Sequence, residues 1–442
     1  MAKATFRAPR GTRDMLPEDL VLIQHLERTA RAVAVSSGFA EIRTPFFEET
    51  RLFTRSLGET SDVVSKEMFT VPSRAAEGKD GSGSSYTFRP EGTASVARAY
   101  VNGGYAAKAP LQKWYYLGPM FRYERPQKGR ERQFTQFGVE AFGAASPLLD
   151  AEVVDLAARF FEALGFGAEL EVRVNTMGDP SDRDRWRTVL QDYFRPQLDE
   201  RCADCQNRFE RNVFRLLDCK VPRCVELNAG APQLDTVLGE EAAGHHEAFL
   251  DALRAIGREP VVDPSIVRGL DYYTRTVFEV HYPPLGARSA LCGGGRYDGL
   301  VEEFGGAPTP GVGFAVGFTA TELALRELGL PPQEHLADLE AELRPCAFVA
   351  AVSDAERRPA LALASKLRRE GVRPVVLDYR GKSLKAQLKE ASKSGAAYTV
   401  VLGADEVAAG TAVVRDMAAG EESTVPQDGI AAHIQAGRSE PA

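Results

Sequence analysis

The sequence predicts an α+β domain that is interrupted by a helical insertion and followed by a compact α/β domain. Two aromatic-rich segments, 114–123 and 133–142, have strand character and flank a charged stretch, as in a long antiparallel hairpin. A strongly charged, helix-favouring segment over 180–257 separates them from further strands at 267–282 and 289–292. Beyond a proline-rich segment, apolar strands alternate with amphipathic helices, which is the pattern of βαβ units.

Composition excludes several broad classes of protein. The chain has 442 residues, of which 44% are hydrophobic and 26% charged, so disorder along its whole length is excluded. Its longest uncharged stretch, 304–321, holds five glycines and two prolines and makes a poor membrane-spanning helix. No signal-peptide pattern is visible, and six cysteines do not make a disulfide scaffold. We therefore expect a cytoplasmic protein with no membrane contact.

The charge is unevenly distributed. A net charge of −8 excludes a uniformly basic surface for nucleic acid, but two local basic patches remain. Residues 122–132 carry a net +3, and residues 356–393 carry a net +7. The second patch is a candidate surface for nucleic-acid phosphates.

The elements of the first domain follow in order. Apolar residues at helical spacing predict a first helix over 20–33, which Gly38 ends. The pattern then predicts strands at 39–47 (interrupted by Pro45), 68–71 and 86–89, a flexible loop at 75–85, a helix at 94–101, the long hairpin, a helix at 150–164, a strand at 170–175 and a helix after Gly317. This gives a first domain over 1–330, with the insertion at 180–257.

Prolines at 331, 332 and 345 predict a linker over 331–345. An α/β domain over 346–435 follows, and 436–442 is expected to be a flexible tail. Within that domain we expect strands at 346–352, 372–378, 398–402 and 411–415, with helices after the first and second strands.

The chain lacks both common glycine-rich phosphate loops, GxxxxGK[ST] and GxGxxG after a strand. A nucleotide would then be held by arginines beside strands, because the planar guanidinium can bind phosphate or carboxylate with two hydrogen bonds. The candidates are Arg122, Arg130, Arg132 and Arg268.

Seven segments, taken together and in this order, resemble the histidyl-tRNA synthetases, a class II aminoacyl-tRNA synthetase family. They are 10–14 (RGTRD), 58–62 (GETSD), 88–93 (FRPEGT), 118–126 (GPMFRYERP), 132–140 (RQFTQFGVE), 268–274 (RGLDYYT) and 292–298 (CGGGRYD). The resemblance implies a mixed or antiparallel class II sheet, a C-terminal anticodon-binding domain, and a homodimer with the strand at Pro45 near its two-fold axis. It also implies ATP-dependent ligation of L-histidine to tRNA(His), with Mg²⁺ accompanying ATP.

The resemblance implies roles for individual residues. Arg122 would bind the α-phosphate of ATP and the reacting carboxylate. Glu124 and Arg130 would also lie at the ATP site. From spacing alone, the alternative is a surface salt bridge between Arg122 and Glu124 on a hairpin. Arg268 would face the substrate carboxylate and the α-phosphate, so it is the second implied catalytic residue beside Arg122. Its alternative is a surface arginine at the start of a strand.

The histidine site would draw on several segments. Glu91, Gly92 and Thr93 would receive the α-amino group, although Glu and Thr also suit a helix start. Gln136 and Glu140 share one face of a strand, where Glu140 could accept the imidazole N–H; cross-strand polar pairing is the alternative. Tyr272 and Tyr273 complete the implied set, with the Tyr273 hydroxyl serving the other ring nitrogen. Glycines 293–295 suit either a close approach of substrate or a hairpin turn.

One residue departs from the family pattern. Residues 311–317 (GVGFAVG) match the third class II motif, but Ala320 stands where an arginine for the γ-phosphate is expected, and Arg326 lies too far along the helix to replace it. A non-catalytic paralogue, acting as a regulatory subunit of ATP phosphoribosyltransferase, is therefore the alternative function. The segment 268–274 and the basic C-terminal domain oppose it.

Four of the six cysteines fall within the insertion. Cys202, Cys205, Cys219 and Cys224 have spacings that resemble a four-thiolate zinc site. Buried free cysteines are the alternative, and the motifs that define the family require no zinc. Cys292 and Cys346 are expected to be core residues.

Overall fold

The computed structural model describes residues 6–57, 63–72, 85–217, 219–266, 272–331 and 333–438. The chain forms two compact units, Met1–Pro332 and Gln333–Ala442. Within the described ranges, no helix combines the length and the apolar character that a bilayer crossing requires.

The first unit contains a mixed, mainly antiparallel sheet. The strands of this unit are β1 (Ala40–Glu41), β2 (Phe47–Glu49), β3 (Phe69–Pro72), β4 (Ser85–Phe88), β5 (Gln112–Phe121), β6 (Gln133–Phe142), β7 (Glu171–Thr176), β8 (Val261–Val262), β9 (Thr274–His281), β10 (Ala290–Arg296) and β11 (Gly311–Gly317). Eight of them form one sheet in the order β1-β5-β6-β11-β10-β9-β7-β8. The two edge strands run parallel to their neighbours, β1 to β5 and β8 to β7. All other neighbouring strands in this sheet are antiparallel. A smaller sheet has the order β2-β4-β3.

Helices cover this sheet and form the insertion. They are α1 (Pro17–Ser36), α2 (Thr50–Leu57), α3 (Thr93–Asn102), α4 (Tyr105–Lys108), α5 (Pro147–Ala163), α6 (Pro180–Phe194), α7 (Ala203–Phe209), α8 (Pro222–Asn228), α9 (Glu240–Ala255), α10 (Leu300–Glu303) and α11 (Phe318–Leu328). Short 3₁₀ turns lie at Arg195–Glu200, Val213–Leu216, Leu234–Val237 and Pro283–Arg288, and a π-helical turn lies at Val63–Glu67. The elements α6 to α9 make up the helical insertion between β7 and β8.

The two faces of β6 have different surroundings because side chains alternate along a strand. Phe137 is fully buried, and its ring contacts Phe160 of α5 and Phe314 of β11 at centroid distances of 5.3 and 5.7 Å. Gln136 and Glu140 share the other face. The apolar face thus anchors the sheet on α5 and leaves the polar face for a site.

A buried ion pair ties four elements of the first unit together. Asp150 of α5 accepts hydrogen bonds from Arg296 of β10, from the Thr276 hydroxyl of β9 (2.6 Å) and from His245 Nε2 of α9 (2.9 Å). Asp150 and Arg296 have no exposed surface. Burial alone would raise the pKa of Asp150, but the bond from His245 and the charge of Arg296 outweigh it and lower that pKa.

The second unit is an α/β fold. Its strands are β12 (Ala347–Ala351), β13 (Val375–Leu377), β14 (Tyr398–Leu402), β15 (Thr411–Asp416) and β16 (Glu422–Pro426), in the order β13-β12-β14-β15-β16. The strand β12 runs parallel to both of its neighbours, and β15 and β16 are antiparallel. Its helices are α12 (Gln333–Leu343), α13 (Arg357–Arg369), α14 (Leu384–Lys393), α15 (Ala404–Ala409) and α16 (Ile430–Arg438), with a 3₁₀ turn at Asp354–Glu356.

Several expectations from the sequence need correction. The segment 331–345 is not an extended linker, because α12 occupies most of it and belongs to the second unit. The expected tail at 436–442 begins as the last turn of α16, which ends at Arg438. The strand expected at 39–47 is two short strands, β1 and β2, in different sheets, since the chain leaves the large sheet before Pro45. The strand β16 was not expected.

Candidate active site

The polar face of β6 carries two buried polar side chains, Gln136 and Glu140. Gln136 and Glu140 are 6% and 1% exposed and point to the same side of the sheet. Gly138 lies between them, and a Cβ atom there would come within 2.3 Å of the Tyr116 ring. The glycine therefore lets Tyr116 lie against the strand, where its hydroxyl donates to Gln136 Oε1 at 3.2 Å.

Glu140 is held from two sides. The Thr93 hydroxyl donates to its Oε1 at 2.6 Å, and the Tyr297 hydroxyl donates to its Oε2. Gly313 of β11 lies opposite Glu140 in the sheet, and a Cβ atom at 313 would be 2.1 Å from Oε2. Burial raises the pKa of Glu140 well above its ordinary value, and the charge of Glu91 adds to this effect.

Glu91 and Thr93 lie where α3 begins. The Glu91 carboxylate accepts the backbone N–H groups of Thr93 (2.6 Å) and Ala94 (2.9 Å), so it satisfies donors of the first helical turn. Gly92 precedes the helix, and a Cβ atom at this position would be 2.3 Å from the Tyr116 ring. Burial raises the pKa of Glu91. Glu91 thus starts the helix and is also a buried carboxylate, in the same cluster as Glu140, so the two interpretations of this segment are compatible.

Arg122 follows the end of β5 and is partly buried. Its Nε donates to the carbonyl oxygen of Pro90 at 2.8 Å, and its guanidinium lies 5.5 Å from the centre of the Phe134 ring. The positive charge of Arg122 acts on the Glu91 carboxyl and lowers its pKa, against the larger effect of burial. Arg122 therefore lies at the edge of the carboxylate cluster.

Glu124 and Arg130 extend this edge outward. Glu124 Oε2 accepts from Arg130 Nη1 at 3.1 Å, while Glu124 Oε1 is 3.8 Å from Arg122 Nη1. The Arg130 side chain is 63% exposed. The salt bridge that spacing suggested is present in the structure, and it links the two arginines through one carboxylate.

Three buried tyrosines, Tyr272, Tyr273 and Tyr297, lie next to one another, and Tyr297 contacts Glu140. The Tyr272 ring lies 4.7 Å from the Tyr273 ring and 5.7 Å from the Tyr297 ring, between centroids. Burial raises the pKa of Tyr272, Tyr297 and Tyr116 well above the ordinary value, so all three hydroxyls keep their protons and can donate. Sequence reasoning did not single out Tyr116 or Tyr297, although each lies in or beside a segment that carried the resemblance.

The glycines at 293–295 lie inside β10 and do not form a hairpin turn. A Cβ atom at Gly295 would be 2.8 Å from the Tyr273 ring, so this glycine gives the tyrosine its place. Arg268 lies outside the described residues, as does the rest of 267–271. Shortly after that segment in the chain, the backbone oxygen of Tyr273 accepts a hydrogen bond from Arg183 of α6 at 3.0 Å.

Ala320 lies in the first turn of α11 and is exposed. Arg326 forms ion pairs with Glu322 at 3.0 Å and with Asp19 at 4.0 Å, so its guanidinium is engaged away from position 320. Arg13 also pairs with Glu322, and with Glu131 at 3.1 Å.

Comparisons with known proteins identify the family of each part of the chain. The family model "Histidyl-tRNA synthetase" matches residues 11–320, and "Anticodon binding domain" matches residues 346–436. The histidine--tRNA ligase of Desulfitobacterium hafniense is 46% identical over 418 residues, which is 95% of each chain. Histidine--tRNA ligase 1 of Shouchella clausii is 44% identical over 436 residues, or 98% of each chain.

A solved structure supports the fold over the whole length. Apo histidyl-tRNA synthetase of S. aureus matches with a TM-score of 0.78 and 34% identity, covering 98% of this chain and 100% of that one. The predicted class II α+β fold with a C-terminal anticodon-binding domain is confirmed. The chain belongs to the histidyl-tRNA synthetase family.

Proposed function

We propose that this protein attaches L-histidine to tRNA(His) in two steps, using ATP. The histidine carboxylate attacks the α-phosphorus in line, which forms histidyl-adenylate and releases pyrophosphate. A hydroxyl of the terminal tRNA adenosine then attacks the carbonyl carbon, and AMP leaves. The observation that carries the proposal is the buried Glu140, held by Thr93 and Tyr297 within a chain of this family.

Glu140 would select histidine by accepting a ring N–H. An ionised carboxylate has about four acceptor positions, and the two hydroxyl donors leave room for a third donor. An amino acid without a ring N–H would leave this buried group incompletely paired, which is a strong basis for rejection. We assign the other ring nitrogen to the Tyr273 hydroxyl and to Gln136, on the same side of the pocket.

The ends of the substrate would be held by charge. Glu91 and Thr93 would bind the α-amino group, with Gly92 letting it approach the backbone. Arg122 would hold the reacting carboxylate and the α-phosphate, where negative charge builds up during adenylation. Arg268 would act beside it. Tyr272 would enclose the ring.

The outer pair, Glu124 and Arg130, would contact ATP. Mg²⁺ would arrive with ATP as part of that substrate and would neutralise phosphate charge as pyrophosphate leaves. Because tRNA and ATP meet in the cytoplasm, we place the protein there.

The second unit would bind the tRNA. It holds the segment 356–393 with its net charge of +7, and the exposed residues of this segment can follow a phosphate backbone. The anticodon-binding family match supports this assignment.

The smaller sheet supports a homodimer. Phe46 and Phe47 are each 54% exposed, Val71 is 49% and Tyr86 is 38% exposed, all on or beside β2, β3 and β4. Phe47 and Tyr86 contact edge to face at 5.8 Å, and Val71 lies opposite Tyr86 in the sheet, so these three side chains form one exposed apolar patch. Exposed apolar patches commonly mark protein interfaces.

Histidine-dependent exchange of pyrophosphate into ATP tests the first step, and charging of tRNA(His) tests the second. We expect both, and we expect other amino acids to support neither. A regulatory paralogue of ATP phosphoribosyltransferase would show no exchange, and that result would replace the synthetase assignment. Only Ala320 favours this alternative, and the basic second unit opposes it.

A further inference from the structure

The four cysteines of the insertion converge to one point in the fold. The sulfur atoms of Cys202, Cys205, Cys219 and Cys224 all lie within 4.8 Å of one another. Cys202 Sγ and Cys219 Sγ are 3.8 Å apart. With a zinc–sulfur bond of about 2.3 Å, two sulfurs of a tetrahedral site are about 3.8 Å apart, so the cluster has the size of a single-ion site.

The cluster is buried and partly preorganised. Cys205 and Cys224 have no exposed surface, Cys219 is 9% exposed and Cys202 is partly buried. The backbone N–H of Cys202 donates to Cys224 Sγ at 3.4 Å. Such N–H bonds to a ligating sulfur orient it and offset its negative charge.

The part of the insertion around the cluster has little regular structure to hold it. Between the end of α6 and the start of α9, the described residues form only 3₁₀ turns of four to six residues and two helices, α7 and α8, of seven residues each. Helices this short are not stable by themselves. Cys202 lies just before α7 and Cys205 within it, Cys219 follows the 3₁₀ turn Val213–Leu216, and Cys224 lies within α8. One ion bound by all four would therefore join α7, this turn and α8.

A buried cation accompanies the cluster. Arg201, which precedes Cys202 in the chain, is 4% exposed, and its Nη1 donates to Asn228 Oδ1 at 2.9 Å. Asn228 in turn donates to the carbonyl oxygen of Leu216 at 2.8 Å. The Nε and Nη2 atoms of Arg201 are buried and have no hydrogen-bond partner among the described residues. The guanidinium also lies over the Phe194 ring, 4.1 Å from its centre, and this contact stabilises a buried cation.

We propose that Cys202, Cys205, Cys219 and Cys224 bind one structural zinc ion that holds the insertion together. Four protein ligands close the coordination sphere, which is the pattern of structural and not of catalytic zinc. A disulfide requires sulfurs about 2.05 Å apart, and the 3.8 Å between Cys202 and Cys219 is far longer.

The test measures metal directly and does not depend on aminoacylation. Full-length protein, purified under reducing conditions, is expected to contain about one zinc ion per chain by elemental analysis. The variants Cys205→Ser and Cys224→Ser should lose it. The matched control is Cys346→Ser, which removes a buried cysteine of the second unit and should leave zinc content unchanged.

Three further measurements keep the test valid if the variants fail to fold. Titration of the unaltered protein with a thiol-specific mercurial should release the zinc as four thiols react. Replacement by Co²⁺ should give the intense visible bands of tetrahedral cobalt–thiolate coordination. A strong chelator should lower the Tm of the unaltered protein, since metal binding and folding are coupled.

Four results would overturn the proposal. One is protein that stays metal-free when reduced and supplied with Zn²⁺. Another is iron, alone or as an iron–sulfur cluster, in place of zinc. A third is a disulfide among the four cysteines, found by mass spectrometry of unreduced protein. The fourth is zinc that remains bound in folded Cys205→Ser and Cys224→Ser variants, which would place it elsewhere in the chain.

Discussion

The Thr93 hydroxyl donates a 2.6 Å hydrogen bond to Glu140 Oε1 and so joins the start of α3 to the C-terminal part of β6. The bond fixes the orientation of the Glu140 carboxylate, and the residue is only 1% exposed. A neutral hydroxyl donor cannot neutralise a buried charge, so the pKa of Glu140 stays raised until a bound ligand supplies a further hydrogen bond or a positive charge.

This relationship predicts how histidine binding varies with pH. A raised pKa means that the Glu140 carboxyl keeps its proton to higher pH, and only the carboxylate accepts a ring N–H. The KM for histidine in pyrophosphate exchange should therefore fall as the pH rises through that pKa. Glu140→Gln should lose this dependence and raise the KM about tenfold to a hundredfold, the value of one hydrogen bond to a charged group. Glu140→Ala should abolish histidine activation in a folded protein.

Thermal unfolding of both variants serves as the control for folding. Glu140 would have no role toward the ring if both variants kept the parent KM at every pH. Any pH dependence that remains in Glu140→Gln belongs to the histidine side chain itself.

Two glycines of β11 give a matched pair for the packing of the site. A Cβ atom at Gly313 would lie 2.1 Å from Glu140 Oε2 and 2.3 Å from the backbone oxygen of Val139, whereas one at Gly317 would have no atom within 4 Å. We expect Gly313→Ala to lower the free energy of unfolding by about 1–3 kcal/mol, as overpacking does, and to raise the KM for histidine. Gly317→Ala should leave both close to the parent values. Equal effects of the two variants in urea unfolding would contradict the packing argument.

Local patterns in the sequence predicted less of the site than of the fold. Alternation along a strand placed Gln136 and Glu140 on one face, because a strand has a period of two. The partners of Glu140 are Thr93 and Tyr297, which are 47 and 157 residues away, and no spacing rule connects them. Tertiary structure alone brings these hydroxyls to the carboxylate.

The error at 331–345 has a different origin. Prolines 331, 332 and 345 suggest a linker, but the described Pro331 and Pro345 lie outside α12, where proline is tolerated. The intervening residues, with Leu336 and Leu339 buried, follow a helical spacing. The spacing of apolar residues within 333–343 therefore predicts this helix better than the prolines that flank it.

The buried pair of Asp150 and Arg296 predicts a pH-dependent contribution to stability. Asp150→Asn should cost about 3 kcal/mol near pH 7, because the fully buried Arg296 would keep only the partly exposed Asp298, at 2.9 Å, as an acidic partner among the described residues. The pKa of Asp150 is lowered, so its stabilising effect is complete above the ordinary pKa of about 3.9 and is lost as the pH falls through the folded-state value. The difference between parent and variant in urea unfolding should therefore shrink below about pH 4.

Glu152→Gln on the same helix is the control. Glu152 pairs with Lys113 at 2.7 Å, but its side chain is 38% exposed, so the loss should stay below about 1 kcal/mol. A small effect of Asp150→Asn, comparable to that of Glu152→Gln, would show that the buried pair is not a major stabilising contact.

The helix α14 offers a test of tRNA binding in the second unit. Lys385, Lys389 and Lys393 are exposed and spaced four residues apart, so they line one face of the helix. Replacing all three with alanine should weaken tRNA binding and flatten its dependence on salt, with the slope falling by about 0.7 for each phosphate that is no longer neutralised. Pyrophosphate exchange should be unchanged, because the pocket residues all lie in the first unit. An unaltered salt slope would place the tRNA phosphates on another surface.

Ala320 gives the sharpest test of the nucleotide site. If the absent arginine leaves the γ-phosphate without a cationic partner, Ala320→Arg should lower the KM for ATP about tenfold to a hundredfold, with little change in the KM for histidine. The position is exposed in the first turn of α11, so an arginine fits without disturbing the core. Its neighbours are poorer positions for an arginine, because the Thr319 hydroxyl donates to Glu131 at 3.0 Å and Thr321 is buried.

Ala320→Gln is the control, since it adds a polar side chain without charge. If the parent already binds ATP tightly and Ala320→Arg changes nothing, the γ-phosphate has another partner. If the parent is inactive and only the arginine variant supports exchange, the natural protein has lost catalysis, and the regulatory alternative becomes the better account of its function.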